Sequence, residues 1–176
     1  MRGCHELLAA ARARYDLDPE LAAAARNARC GGFPAGAEWM RRALGGRGSW
    51  PVRGAWRLGL AKYGLATLAA AAPVVAGMLL HTPVPLLLAP VLFYLVEARF
   101  VFAFPLAIDG VPRPLRASHA LVRRCGGVVA VTSCVLRIAV EMLIGGLLGR
   151  GFLRSWCVGC LAVVLWYEAA RAETRT

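Results

Sequence analysis

The chain has 176 residues, 59% of them hydrophobic, and a formal net charge of +11. Its apolar residues concentrate after about Trp56, and the remaining polar residues are too few to cover them, which excludes an ordinary water-soluble fold. The basic balance is read as Arg gathered at the cytoplasmic face of a membrane against anionic headgroups, rather than as a nucleic-acid surface.

Met1–Ala13 is charged and has no apolar h-region, so it does not read as a signal peptide. The first apolar helix is then expected to act as the insertion signal. Residues 1–57 form a basic, short-helical region expected to be cytoplasmic or interfacial. Glu6–Tyr15 suits a short helix. Asp18-Pro19-Glu20 is a helix start, with Asp as cap, Pro at the first helical position and an acid in the first turn. A third short helix is expected near Ala37–Leu44. Trp39, Trp50 and Trp56 lie among Arg residues including Arg53 and Arg57, and this mixture suits a headgroup layer.

Residues 58–170 are expected to form a four-helix transmembrane domain, with spans of about 58–80, 86–108, 126–148 and 155–170, each near the roughly 20 residues a bilayer core requires. Lys62 sits one turn inside the first span, where it can snorkel, and Pro73 is expected to kink that span. His81–Pro85 is a tight turn that makes the second span antiparallel to the first. Pro112–Arg124 is an Arg-rich joint, Gly149–Arg154 a short turn, and 171–176 a polar tail. The fold class is therefore an all-α integral membrane protein of the cell membrane. Basic-residue counts put both termini and the 112–124 joint in the cytoplasm and the turns at 81–85 and 149–154 outside. The Arg bias, with a single Lys, together with abundant Ala and Gly suggests a bacterial genome rich in G and C.

Ionisable groups at bilayer depth need partners, since each costs about 2.5–3.5 kcal/mol at a helix centre. Glu97 in the second span and Arg137 in the third stand at similar depth, which predicts a Glu97–Arg137 ion pair. Glu141 is one turn beyond Arg137 on the same face. Arg99 is nearer the cytoplasm and can snorkel. The opposite charges favour a structural pair over a transport path.

Cys157-Val158-Gly159-Cys160 opens the fourth span, where a helix N-terminus lowers a thiol pKa. This placement, with four spans, resembles the quinone-coupled thiol oxidoreductases of the DsbB and vitamin K epoxide reductase type. The resemblance implies a catalytic Cys157/Cys160 pair. The second cysteine pair of those enzymes has no counterpart in His81–Pro85. Cys4, His5 and Cys30 match no zinc spacing, and no metal or cofactor is expected. No phosphate-binding glycine loop and no nucleophile motif is present. The expected function is that of a non-enzymatic accessory or scaffold subunit, with lipid and other membrane-protein subunits as partners. The alternatives are a thiol–disulfide oxidoreductase and a small oligomeric transporter or channel.

Overall fold

The computed structural model describes residues 3–28, 32–46 and 52–173, which are helical and contain no strand. The helices are α1 (Cys4–Leu17), α2 (Pro19–Ala28), α3 (Gly32–Ala43), α4 (Val52–Leu79), α5 (Leu88–Arg99), α6 (Ala103–Ile108), α7 (Pro114–Arg124), α8 (Gly127–Gly145) and α9 (Phe152–Glu173). Four stretches are long and apolar enough to cross a bilayer: Gly54–Leu79, Val84–Ile108, Gly127–Gly149 and Phe152–Glu173. By length and composition these four are candidate membrane spans, which suggests a multi-pass membrane protein.

α4 runs as one helix through Pro73. Its end is built by the backbone. The Thr82 N–H donates to the Gly77 carbonyl at 3.0 Å and the His81 N–H to Met78, with His81 at φ 49° in the left-handed region. This pattern satisfies carbonyls that a helix end leaves without partners. A Cβ at Gly77 would meet the Thr82 carbonyl oxygen at 3.0 Å, so glycine lets the turn fold back. The chain then enters a short 3-10 turn, Val84–Leu87, and returns along α4 as α5.

The second apolar stretch is not one straight helix. It breaks between α5 and α6, at Phe100–Phe102. Ser118 of α7 spans the break: its hydroxyl accepts the Phe102 N–H at 3.2 Å and donates to the Arg99 carbonyl at 3.3 Å. Buried backbone groups require partners, and here a side chain supplies them. α7 is amphipathic, with Ser118 and Val122 buried and Arg113, Arg116, Arg123 and Arg124 exposed.

α8 and α9 approach closely because small residues face each other. A Cβ at Gly145 would lie 2.6 Å from Ser155 Oγ, and one at Gly159 would lie 2.3 Å from Met142 Cγ. α9 is the central helix: 50% of its apolar window is buried, against 22–28% in the other three. α1 explains the difference. It lays Leu7, Leu8, Ala11 and Tyr15, one helical stripe, against α9.

α1 therefore lies along the side of the α8–α9 hairpin, while α3 of the same N-terminal region packs on α4 and α6. Polar contacts help hold α1 there: Cys4 Sγ lies 3.5 Å from the Cys134 carbonyl, Arg12 reaches Glu141 at 2.6 Å, Arg14 lies 3.8 Å from Glu168, and Arg154 grips Asp16 at 2.6 Å. The Arg154–Asp16 pair places the end of α1 beside the turn at 149–154, two segments expected on opposite membrane faces.

Candidate functional site

A groove of about 910 Å³ opens between α3, α4, α5, α8 and α9. Such apolar concavities with a few polar groups are the usual form of a ligand site. Its α3 wall is set by Phe33, whose ring stacks on Tyr63 at 5.4 Å and meets Trp56 edge-on at 5.3 Å. Gly59 makes room for that ring, since a Cβ there would fall 2.5 Å from Phe33 Cγ. The opposite wall is α8 and α9, through Ile138, Met142, Trp156 and Cys160. Trp56, Phe152 and Trp156 are each about half exposed.

Two ionised side chains line the groove among the described residues. Lys62 of α4 donates to Glu97 of α5, with Nζ 2.7 Å from Oε1. Their side chains are 4% and 15% exposed, so the pair is screened from solvent. The Lys62 ammonium also lies 5.0 Å from the Tyr63 ring centroid and 5.7 Å from that of Phe104, so two aromatic faces help replace its lost hydration. Glu97 Oε2 is buried and has no hydrogen-bond partner among the described residues.

The expected Glu97–Arg137 pair is thus replaced by Glu97–Lys62. Lys62 does not snorkel; α4 lies directly on α5 and offers a nearer cation. Arg137 is exposed on α8 and forms no ion pair among the described residues. Glu141 binds Arg12 of α1 through both carboxylate oxygens, at 2.6 and 3.2 Å, instead of Arg137. Arg99 is exposed, and its Nε lies 3.1 Å from His119 Nδ1.

Cys157 and Cys160 are both free thiols, and both line the groove. Cys157 is the sixth residue of α9, past the first turn, where the helix dipole no longer acts. The expectation of a helix-terminal, acidified thiol therefore fails on position. Of the residues expected at the membrane interface, Trp39 is buried and its indole N–H donates to the Leu21 carbonyl at 3.0 Å, so it is a core residue. Trp56 and Arg57 are exposed. Trp50, Cys30 and the side chain of Arg53 lie outside the described residues.

Several groups escaped sequence reasoning. Asp109, at the end of α6, accepts from Tyr167 at 2.7 Å and binds Arg171, which ties α6 to α9. Trp156 and Phe33 carry no distinctive pattern in the sequence. α1 did carry one: Leu7, Leu8, Ala11 and Tyr15 fall at helical spacing and announce a buried stripe.

At the joint below the bundle, burial pushes the Cys125 thiol above its ordinary value, with Glu173 adding to the shift. Among the described residues no group of three His, Cys, Asp or Glu side chains is placed to hold a metal. The site is thus an apolar, aromatic groove with one buried ion pair and two free thiols in its lining. In comparison with known proteins, no family model, no curated protein and no solved structure matches the chain.

Proposed function

We propose that the chain is a multi-pass protein of the bacterial cell membrane that works by association, as a non-enzymatic accessory or scaffold subunit of a larger membrane assembly. The observation that carries this reading is the outer face of α4. Ala61, Leu65, Leu68, Ala72, Val75 and Leu79 are all exposed and recur at alternating spacings of four and three. That is the seam by which one helix packs along another at a shallow angle. Between Lys62 and Glu97 the α4–α5 hairpin has no Asp, Glu, Lys or Arg, so lipid or a partner's apolar helix can cover it.

The Arg-rich face of α7 supports a cytoplasmic position for that joint, beside anionic headgroups. Both termini belong on the same side in this reading. Arg171 is held at the α6 end by Asp109, and Cys4 lies beside the first half of α8, the half that begins at the joint. A nucleic-acid partner has no support from this arrangement, because the exposed Arg residues of α7 flank apolar spans.

The test is purification of the intact chain from membranes in a gentle detergent, with identification of co-purifying chains. A defined membrane-protein partner whose recovery falls in a Leu68→Arg variant is the expected result. Recovery of a solitary chain, or a partner indifferent to Leu68→Arg, would remove the association reading.

A further inference from the structure

Arg99 at the end of α5 and the outer face of α7 form a cationic cluster that no acidic side chain neutralises. We infer that this cluster is the headgroup site for one anionic phospholipid, of the phosphatidylglycerol or phosphatidate class, with its phosphate held by Arg99, Arg116 and Arg123 and an acyl chain along α5. The inference rests on the reading of the apolar helices as membrane spans, but on no protein partner.

Three observations carry this. First, the fold gathers the cations. The Ser118 hydroxyl donates to the Arg99 carbonyl at 3.3 Å and accepts the Phe102 N–H at 3.2 Å, which seats the end of α5 on α7. The Arg99 guanidinium then lies against the His119 ring, with Nε 3.1 Å from Nδ1 and a terminal nitrogen 3.4 Å from Nε2. Arg116 and Arg123 stand one turn before and one turn after His119 on the same face of α7, and both are exposed.

Second, no carboxylate answers these cations. Residues 110–140 contain no Asp or Glu, and every Asp and Glu of the chain lies within the described residues. Glu97, two positions before Arg99, is held by Lys62 in the groove, and Asp109 by Tyr167 and Arg171. Glu173 lies beside Cys125, past the far end of α7. Arg99, Arg116 and Arg123 form no ion pair among the described residues. Guanidinium forks with unused donors suit phosphate oxygens.

Third, an apolar track leads away from the cluster. Leu88, Val91, Leu92, Leu95 and Val96 share the face of α5 that carries Arg99, and each is exposed or half-buried. This face is not the one that lines the groove, which α5 reaches through Phe93, Tyr94 and Glu97. Hydrocarbon gains from such a track, whereas a free phosphate or an acidic protein segment would leave it unused. A phosphatidylcholine headgroup brings its own cation, so the cluster favours a headgroup with net negative charge.

The experiment uses the full chain in a gentle detergent, mixed with equal amounts of phosphatidylglycerol and phosphatidylcholine of identical acyl chains. Native mass spectrometry counts the lipid each protein retains. The native chain should retain phosphatidylglycerol over phosphatidylcholine by about tenfold or more, since each Arg beside an anionic headgroup is worth about fivefold in affinity. The double variant Arg99→Gln/Arg116→Gln should bring that ratio close to parity. His119→Glu, which sets an acid against Arg99, should lower it likewise, and Arg26→Gln, exposed on α2, should leave it unchanged. Excess inorganic phosphate should not displace the lipid. Equal retention of the two lipids overturns the inference, and so does a preference that survives in the folded site variants. Full displacement by inorganic phosphate would make this a site for the free anion and overturn the lipid assignment. Equal lipid retention together with tight binding of a glutamate-rich peptide would give the face to an acidic protein segment instead. If one site variant fails to fold, the other decides. A native chain that does not enter phosphatidylcholine nanodiscs would overturn the membrane reading and this inference together, whereas equal retention by a chain that does enter them overturns this inference alone.

Discussion

Lys62 Nζ stands 2.7 Å from Glu97 Oε1, and this contact fastens α4 to α5 in the last turn of α5 before the chain breaks. Both side chains are enclosed, so removing one partner leaves the other charged and buried. Such stranded charges cost about 3–5 kcal/mol, whereas replacing both with apolar residues is often neutral. Lys62→Met alone should therefore sharply lower the melting temperature in detergent, and the double Lys62→Met/Glu97→Leu protein should recover most of it. Arg137→Leu, at an exposed position with no ion pair among the described residues, should leave melting and membrane abundance unchanged. A large loss with Arg137→Leu and none with Lys62→Met would reverse the assignment.

The docking of α1 can be trapped chemically. Cys4 Sγ reaches the Cys134 carbonyl at 3.5 Å, so the two cysteines face each other across α1 and α8. In a protein whose other cysteines are replaced by serine, mild copper-phenanthroline oxidation should join Cys4 to Cys134 within one chain, seen as a linked peptide pair. Absence of that pair, with both thiols still open to alkylation, would place α1 elsewhere.

Tyr15 gives the docked α1 an alkaline limit. Burial is the main cause that holds its phenol above the ordinary value, with the nearby Cys157 adding to it and Arg26 opposing it. A folded pKa raised above the unfolded value means a contribution fully present below about pH 10, the unfolded value, and lost as pH rises through the folded one. Ultraviolet titration of the phenols with parallel melting curves should show stability falling above pH 10, and Tyr15→Phe should remove that part of the fall. An identical alkaline profile in Tyr15→Phe would show that Tyr15 is not the titrating group.

The α8–α9 contact has a flaw that mutation can expose. Ser155 Oγ is buried and has no partner among the described residues, and Gly145 lies directly against it. Ser155→Ala should stabilise the protein by about 1 kcal/mol, because an unsatisfied hydroxyl is removed at little cost in volume. Gly145→Ala should destabilise it by roughly 1–3 kcal/mol through overpacking, since its Cβ would meet Ser155 Oγ at 2.6 Å. The double variant should recover part of that loss. Equal melting temperatures for Gly145→Ala and the native chain would show that α8 and α9 are farther apart than this.

The helical class, the positions of the four long apolar helices and the tight turn after α4 were all legible in the sequence, because length, hydropathy and Pro spacing speak directly to them. The start of α2 was equally plain: Asp18 Oδ1 accepts the Leu21 N–H at 2.9 Å, as its place before Pro19 predicts. Pairings were not legible. Periodicity tells which residues share a helix face but not which helix that face meets, so Glu97 was matched by depth to Arg137 when Lys62 was nearer. The basic character of residues 1–57 likewise suggested a headgroup region and hid the apolar stripe that puts α1 on α9. The break at Phe100–Phe102 was missed for a related reason. Its stabilising partner, Ser118, lies on another helix and looks like any joint residue until the fold brings it close.

The position of α1 also imposes an order on synthesis. The helix that covers α9 is made well before it, with the other described helices between the two. At translation rates of roughly 5–20 residues per second, α1 must wait on the order of ten seconds or more before Phe152–Glu173 exists to receive it. Through that interval Leu7, Leu8, Ala11 and Tyr15 have no final resting place. Until then that apolar stripe is open to the membrane surface and to the helices made in between.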